Sequence, residues 1–197
     1  MGNVIVGLTM SLDGFIAGRN DGPGNPLGDG GGRLFEWMSS GPAADSDKFI
    51  NPPPSSRVVV DEWYEDCGAI ISGRRTFDIA KGWDGKHPLG VPFFVLTHEA
   101  PDVDPGEGTF VTDGIESALS QAQAVAGDKK VSLSAANVAQ QYLDAGLLDE
   151  IQVSVVPILL GDGVRLFDNL ETGPVELEST RVIESPGATH LDYRVVR

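Results

Sequence analysis

Cysteine is nearly absent from the chain: Cys67 is the only one in 197 residues. No internal disulfide can form, and no zinc site built on paired thiolates can exist. The same absence excludes zinc-dependent base deamination, which holds its metal on a histidine and two cysteines beside a catalytic glutamate. Histidine is scarce too, and His87, His98 and His190 are too scattered in sequence to suggest a metal site. Cations are few: Lys and Arg total 14 against 29 acids, a formal charge of -15. Such a surface repels nucleic acid and membrane headgroups alike, so neither is expected as a partner. No apolar run is long enough to span a bilayer. The opening Met1-Gly2-Asn3-Val4-Ile5-Val6 carries neither the basic segment of an export signal nor a myristoylation motif. A cytoplasmic setting and an inert, buried Cys67 are the expectations.

What is present suits one compact domain with a sizeable core, since 41% of residues are hydrophobic and 22% charged. Val4 to Met10 is rich in β-branched residues and stops at Asp13-Gly14, which predicts a buried strand. Residues 20–32 are crowded with glycine, asparagine and proline and predict a long loop, either a lid or a plain surface loop. Leu34 to Met38 predicts a short helix, and Ser55 or Ser56 is placed to cap a helix running through Glu65. Strands are then predicted at Gly68–Ser72, Val91–Leu96, Phe110–Thr112, Val131–Leu133 and Ile151–Ile158. Between them fall helical stretches at Arg74–Lys81, from Asp113 as cap to Gly127, and at Asn137–Ala145. Val175–Ile183 and Thr189–Val196, joined by Glu184-Ser185-Pro186-Gly187, predict a C-terminal antiparallel hairpin. This alternation is the pattern of an α/β fold with a mostly parallel sheet covered on both faces.

An acidic chain that binds an anionic ligand must gather its few cations locally. Ile71-Ser72-Gly73-Arg74-Arg75-Thr76-Phe77 does so, setting two arginines and a hydroxyl where a strand turns into a helix. Unpaired backbone N–H groups point outward at such a turn and favour phosphate. The same residues also suit ordinary pairing with surface carboxylates.

That stretch is one of five blocks that carry a family resemblance. The others are Met10-Ser11-Leu12-Asp13-Gly14-Phe15-Ile16-Ala17, Pro92-Phe93-Phe94-Val95-Leu96-Thr97-His98, Ala145-Gly146-Leu147-Leu148-Asp149-Glu150, and Pro157-Ile158-Leu159-Leu160-Gly161-Asp162-Gly163-Val164-Arg165-Leu166-Phe167. Together they resemble, over nearly the whole chain, the dihydrofolate-reductase-like reductase domain found at the C-terminus of the riboflavin-biosynthesis protein RibD. The resemblance implies a three-layer α/β/α domain, NADPH as hydride donor, a small heterocyclic or imine-type substrate such as the aminouracil of riboflavin synthesis, and often a homodimer.

It also implies residue roles. Gly73, Arg74, Arg75 and Thr76 match the segment that holds the cofactor's phosphates and adenosine side. Thr97 and His98 match the positions beside the adenosine ribose and 2′-phosphate, and Ile16 and Ala17 those beside the nicotinamide. The family's glycine pair at the pyrophosphate is replaced here by Ser134-Ala135-Ala136-Asn137, which adds Cβ atoms at a close approach but offers the Ser134 hydroxyl, with Ala135 and Asn137 beside it. Asp13 and Glu36 are the candidate proton-handling acids, with Asp29 also near and water as the alternative source; Glu36 equally suits a solvated helix face, and Asp13-Gly14 is equally a good turn for backbone reasons alone. The substrate is expected between the 20–32 loop and the helix over 55–66, with Trp37, Trp63 and Ser154 as its contacts, although Trp37, Trp63 and Trp83 equally suit core or rim packing. A second reading stays open: a non-catalytic ligand-binding protein of the same fold, with cofactor binding weakened at Ser134-Ala135.

Overall fold

The computed structural model describes residues 2–42, 50–168 and 170–197. Its main sheet has eight strands in the order β5-β4-β3-β6-β1-β7-β10-β9. These are β1 (Val4–Ser11), β3 (Cys67–Gly73), β4 (Phe93–Leu96), β5 (Gly108–Val111), β6 (Lys130–Leu133), β7 (Glu150–Val156), β9 (Leu177–Ser185) and β10 (Ala188–Val195). β5 through β7 run parallel. β10 turns back antiparallel on β7, and β9 on β10. The predicted mixed α/β sheet with its terminal hairpin is what forms.

The period of two along the strands sorts the core into two faces. Val4 and Val6, Ala69 and Ile71, Val131 and Leu133, and Ile151 and Val153 point to one side. They pair in register, for example Val6 with Leu133 and Ile71 with Leu133. Helices α3 (Ile115–Ala126) and α4 (Ala136–Asp144) close over them with Ala118, Ala122, Val138 and Tyr142. On the other side, α2 (Arg74–Ile79) lays Phe77 on Ile70, Phe93 and Val95. Further along that face, α1 (Pro54–Asp66) and a 3-10 helix over Gly31–Ser39 bury Leu34, Trp37 and Val60. The result is three layers, α/β/α.

Two expected helix caps are not used. Helix α1 begins at Pro54 after Pro53, with proline in its first turn and no side-chain cap. Proline needs no N–H partner there, so the helix starts ahead of Ser55 and Ser56. Ser56 instead places its hydroxyl 2.8 Å from His190 Nε2 and donates to Ser185 Oγ at 2.7 Å. Asp113 is displaced by Gly114, whose φ of 103° leads into Ile115 with no side-chain cap. Two short strands escaped prediction: β2 (Phe15–Ala17) and β8 (Val164–Arg165) form a separate antiparallel pair. The Arg165 guanidinium lies over the Phe15 ring, 4.3 Å from its centre. Also unforeseen is a left-handed stretch at Lys81, Trp83 and Asp84, with φ between 50° and 53°.

Trp83 packs edge-on against Phe93 and His87, and burial depresses the His87 imidazole to about 4. Its neutral Nδ1 accepts the Leu89 N–H at 3.2 Å. Because the folded chain resists protonating this ring while the unfolded chain does not, stability should fall as pH drops through 6.5 toward 4. Urea denaturation across that window should show a slope that is flatter in His87→Gln than in the native chain.

Candidate functional site

The six parallel strands present their C-terminal ends along one edge, and the turns that leave them frame a cleft of about 1350 Å³. Four strand steps separate β5 from β1, so at roughly 4.8 Å per step the cleft extends about 19 Å and suits a long ligand. Ile16, Ala17, Gly73, Arg74, Arg75, Thr76, Thr97, His98, Ser134, Ala135 and Asn137 all line it. Every residue the sequence assigned to a cofactor is therefore brought to one surface.

Both arginines take the carboxylate pairing that the sequence left open as the alternative to phosphate. Arg74 donates Nε to both carboxylate oxygens of Asp78, at 2.8 and 2.9 Å. Arg75 reaches across to the 20–32 loop, donating Nη2 to the Asp21 carboxylate at 2.7 Å and to the Asp21 carbonyl at 2.9 Å. The Asp21 contact raises the Arg75 guanidinium further above its ordinary value. Composition favours such pairing, with 29 acids to 14 cations, and Arg19, Arg181, Arg194 and Arg197 are likewise paired with carboxylates. An exposed ion pair such as Arg74–Asp78 contributes only about 0–1 kcal/mol, so a phosphate can displace Asp78 at small cost, whereas Asp21 is largely covered and holds Arg75 by three hydrogen bonds, which a phosphate must replace. Side-chain exposure is 39% and 46% across Arg74–Asp78, and 66% and 15% across Arg75–Asp21.

The turn between β6 and α4 tests the fit to a dinucleotide more sharply. Helix α4 has no side-chain cap, and Ala135 leads into it. The Ser134 hydroxyl oxygen is shielded from solvent yet has no hydrogen-bond partner. An orphaned hydroxyl beside uncapped helix N–H groups, lining the cleft, is a fitting seat for a phosphate. The Ala135 methyl narrows this wall without closing it, since both residues still line the cavity. Thr76, Thr97 and His98 continue the surface toward the β4 end.

The 20–32 loop is not loose. Gly18 N–H bonds Leu27 O at 2.9 Å and Asp29 N–H bonds Arg19 O at 2.7 Å. The Asp29 carboxylate accepts from Asn20 at 2.6 Å and Asn25 at 3.1 Å. Glycine is required where the strands of this loop cross. A Cβ on Gly28, whose φ is 68°, would sit 2.2 Å from the Gly18 carbonyl oxygen. Asp21, Pro26 and Leu27 of this loop line the cleft. The composition of 20–32 gave no sign of this order, and Thr9 and Phe35 are further lining residues that sequence reasoning missed.

The remaining assignments lie elsewhere. Asp13 accepts the Ser11 hydroxyl at 2.5 Å and the Gly161 and Leu160 N–H groups at 2.7 and 3.1 Å. These bonds, the Ser11 hydroxyl foremost, hold its carboxyl down at about 2. Ionised at any ordinary pH, it anchors the β1–β2 turn to residues 157–163 and has no proton to give. Glu36 is exposed on the outer side of the 3-10 helix and does not line the cleft. Trp37 is only 1% exposed, packed edge-on against Trp63 and His190, and is core rather than a stacking surface. Ser154 is buried with its hydroxyl 2.7 Å from His190 Nδ1. Helix α1 supplies no lining residue, because Trp37, Trp63 and His190 fill the space beneath it. Cys67 is buried and its thiol is pushed up to about 11, as an inert core thiol should be. Among the described residues, no cluster of side chains could hold a metal and no helix is long and apolar enough to cross a membrane.

Comparison with known proteins agrees with this architecture. A riboflavin-biosynthesis protein of Shewanella sp. PV-4, so named provisionally, superimposes with a TM-score of 0.71 at 24% identity, covering 100% of both chains. The deaminase/5-amino-6-(5-phosphoribosylamino)uracil reductase of Thermotoga maritima matches 99% of this chain and 57% of its own, at 13% identity and TM-score 0.62. Dihydrofolate reductase from Enterococcus faecalis, solved with NADP(H), matches 100% of this chain and 98% of its own at 15% identity and TM-score 0.59. By sequence, the uncharacterized Bacillus subtilis protein YyaP is 24% identical over 203 residues, covering 96% of this chain and 93% of its own. The sequence pattern of the RibD C-terminal domain matches residues 3–187, and the chain belongs to that family.

Proposed function

We propose that the chain is an NADPH-dependent reductase that delivers a hydride to a small heterocyclic or imine-type substrate. The single observation that carries this reading is the cleft-lining junction at Ser134, where an orphaned hydroxyl meets the open start of α4. When bound, the reduced nicotinamide supplies the hydride. The protein's part is to seat the dinucleotide and keep water away. Ser134 and the α4 N–H groups would take the pyrophosphate, and Arg74 and Arg75 would exchange Asp78 and Asp21 for phosphate oxygens. Thr97 and His98 would flank the adenosine ribose, while Ile16 and Ala17 give the nicotinamide end an apolar floor. Since Asp13 is held ionised and Glu36 faces solvent, the proton would come from water. We place the protein in the cytoplasm, where its one thiol stays reduced, and assign the exposed Leu177 and Val182 of β9 to a homodimer contact.

Fluorescence titration with NADPH tests the reading. Saturable binding with Kd in the micromolar range, roughly 1–50 μM, is expected. No binding up to about 1 mM would overturn it and leave a ligand-binding protein on the same fold.

A further inference from the structure

The cleft has two ends of different chemistry. Its outer length, along β3 to β5 and α4, carries both arginines that line it. Its inner end, where β1, β2 and the 3-10 helix meet, is walled by Leu8, Thr9, Ile16, Leu27 and Phe35. Among these, Thr9 has the one polar side chain. It is 2% exposed and accepts the Trp37 Nε1–H at 3.4 Å. Its own hydroxyl hydrogen meets no acceptor among the described residues, although the residue lines the cleft. A buried hydroxyl with an unspent proton calls for an acceptor from outside the chain.

Charge narrows the choice of ligand further. No cation stands among the inner-end residues, and Arg75, the cation tied to the neighbouring loop, already donates three hydrogen bonds to Asp21. Elsewhere the lining adds Glu99, Glu116, Asp144 and Glu171. A phosphate monoester entering beside the nicotinamide would lose its hydration against apolar walls and face Asp21 with nothing to pair it. This differs from what the Thermotoga reductase is named for, a phosphoribosyl compound.

We propose that the inner end of the cleft takes an uncharged, phosphate-free flat ring, held by a hydrogen bond from Thr9 Oγ1 to a ring nitrogen or carbonyl and packed against Phe35. This rests on the reading of the cleft as a dinucleotide site, because Arg74 and Arg75 must be committed to the cofactor. Thr9 is then a specificity-determining residue: it selects an acceptor-bearing ring, and the missing cation rejects the phosphorylated one.

The test uses the full chain loaded with NADP+ and calorimetric titration of three compounds. These are 5-amino-6-(5-phosphoribosylamino)uracil, the same compound without its phosphate, and dihydrobiopterin. At least one phosphate-free ring should bind, and the dephosphorylated aminouracil should bind about tenfold or more tighter than its phosphate ester. Thr9→Val should weaken the bound ring about fivefold, Thr9→Ser should restore it, and the NADP+ Kd should stay unchanged in both. The proposal is overturned if the phosphate ester binds as tightly or more tightly, if no uncharged ring binds below about 1 mM, or if Thr9→Val binds like the native chain. Failure of NADP+ itself to bind would instead sink the cofactor reading beneath it.

Discussion

NADPH should bind the Arg74→Ala/Arg75→Ala double variant roughly a hundredfold more weakly than the native chain. Charge-assisted hydrogen bonds contribute about 1.5–3 kcal/mol each, and the exposed Asp78 pair they replace gives back about 0–1 kcal/mol, the more covered Asp21 pair somewhat more. Taking about 1.5 kcal/mol net per arginine gives about 3 kcal/mol, which is roughly two decades in Kd. NADH, which lacks the 2′-phosphate, should lose less than NADPH. Both arginines are substantially exposed, so melting temperature should barely move. Parallel titrations of the two dinucleotides read the difference, and an unchanged NADPH Kd would remove these guanidiniums from the site.

The largest loss of stability is expected from Trp37→Ala, about 3–5 kcal/mol by the cost of emptying a large buried aromatic site. Trp37 is 1% exposed, its ring meets His190 at 4.9 Å and Trp63 at 5.9 Å between centres, and its N–H is spent on Thr9. The urea midpoint should fall sharply, with Trp37→Phe falling less because it retains most of the volume. If Trp37 instead stacked on ligand, the alanine variant would keep its midpoint and lose ligand affinity.

The contrast between Arg74 and Trp37 shows what was legible in the amino-acid sequence. Strand positions were readable as short β-branched apolar runs bounded by turn residues, within which Val4 and Val6 or Val131 and Leu133, two apart, must share a face. The site residues at strand ends were also readable, since Gly73-Arg74-Arg75-Thr76 and Ser134-Ala135 fall where turns must open onto one edge. What side chains do there was not readable. The pairing of Arg75 with Asp21 joins positions 54 apart, and the ties of Asp13 to Leu160 and Gly161 span 147 and 148. Such contacts are set by tertiary approach, to which local composition is blind. Trp37 and Ser154 mislead for the same reason, as amphipathic residues whose polar atoms find partners inside the chain.

The order of the strands bears on synthesis. β1 leaves the ribosome well before the strands it pairs with, for it lies at the middle of the sheet between β6 and β7, with Val4 opposite Val131 and Ile5 opposite Glu150. At about 5–20 residues per second, an apolar strand emerges roughly 6–25 s before its first neighbour exists. During translation this segment is therefore a natural client for holding chaperones, and slowing elongation should raise the fraction lost to aggregation.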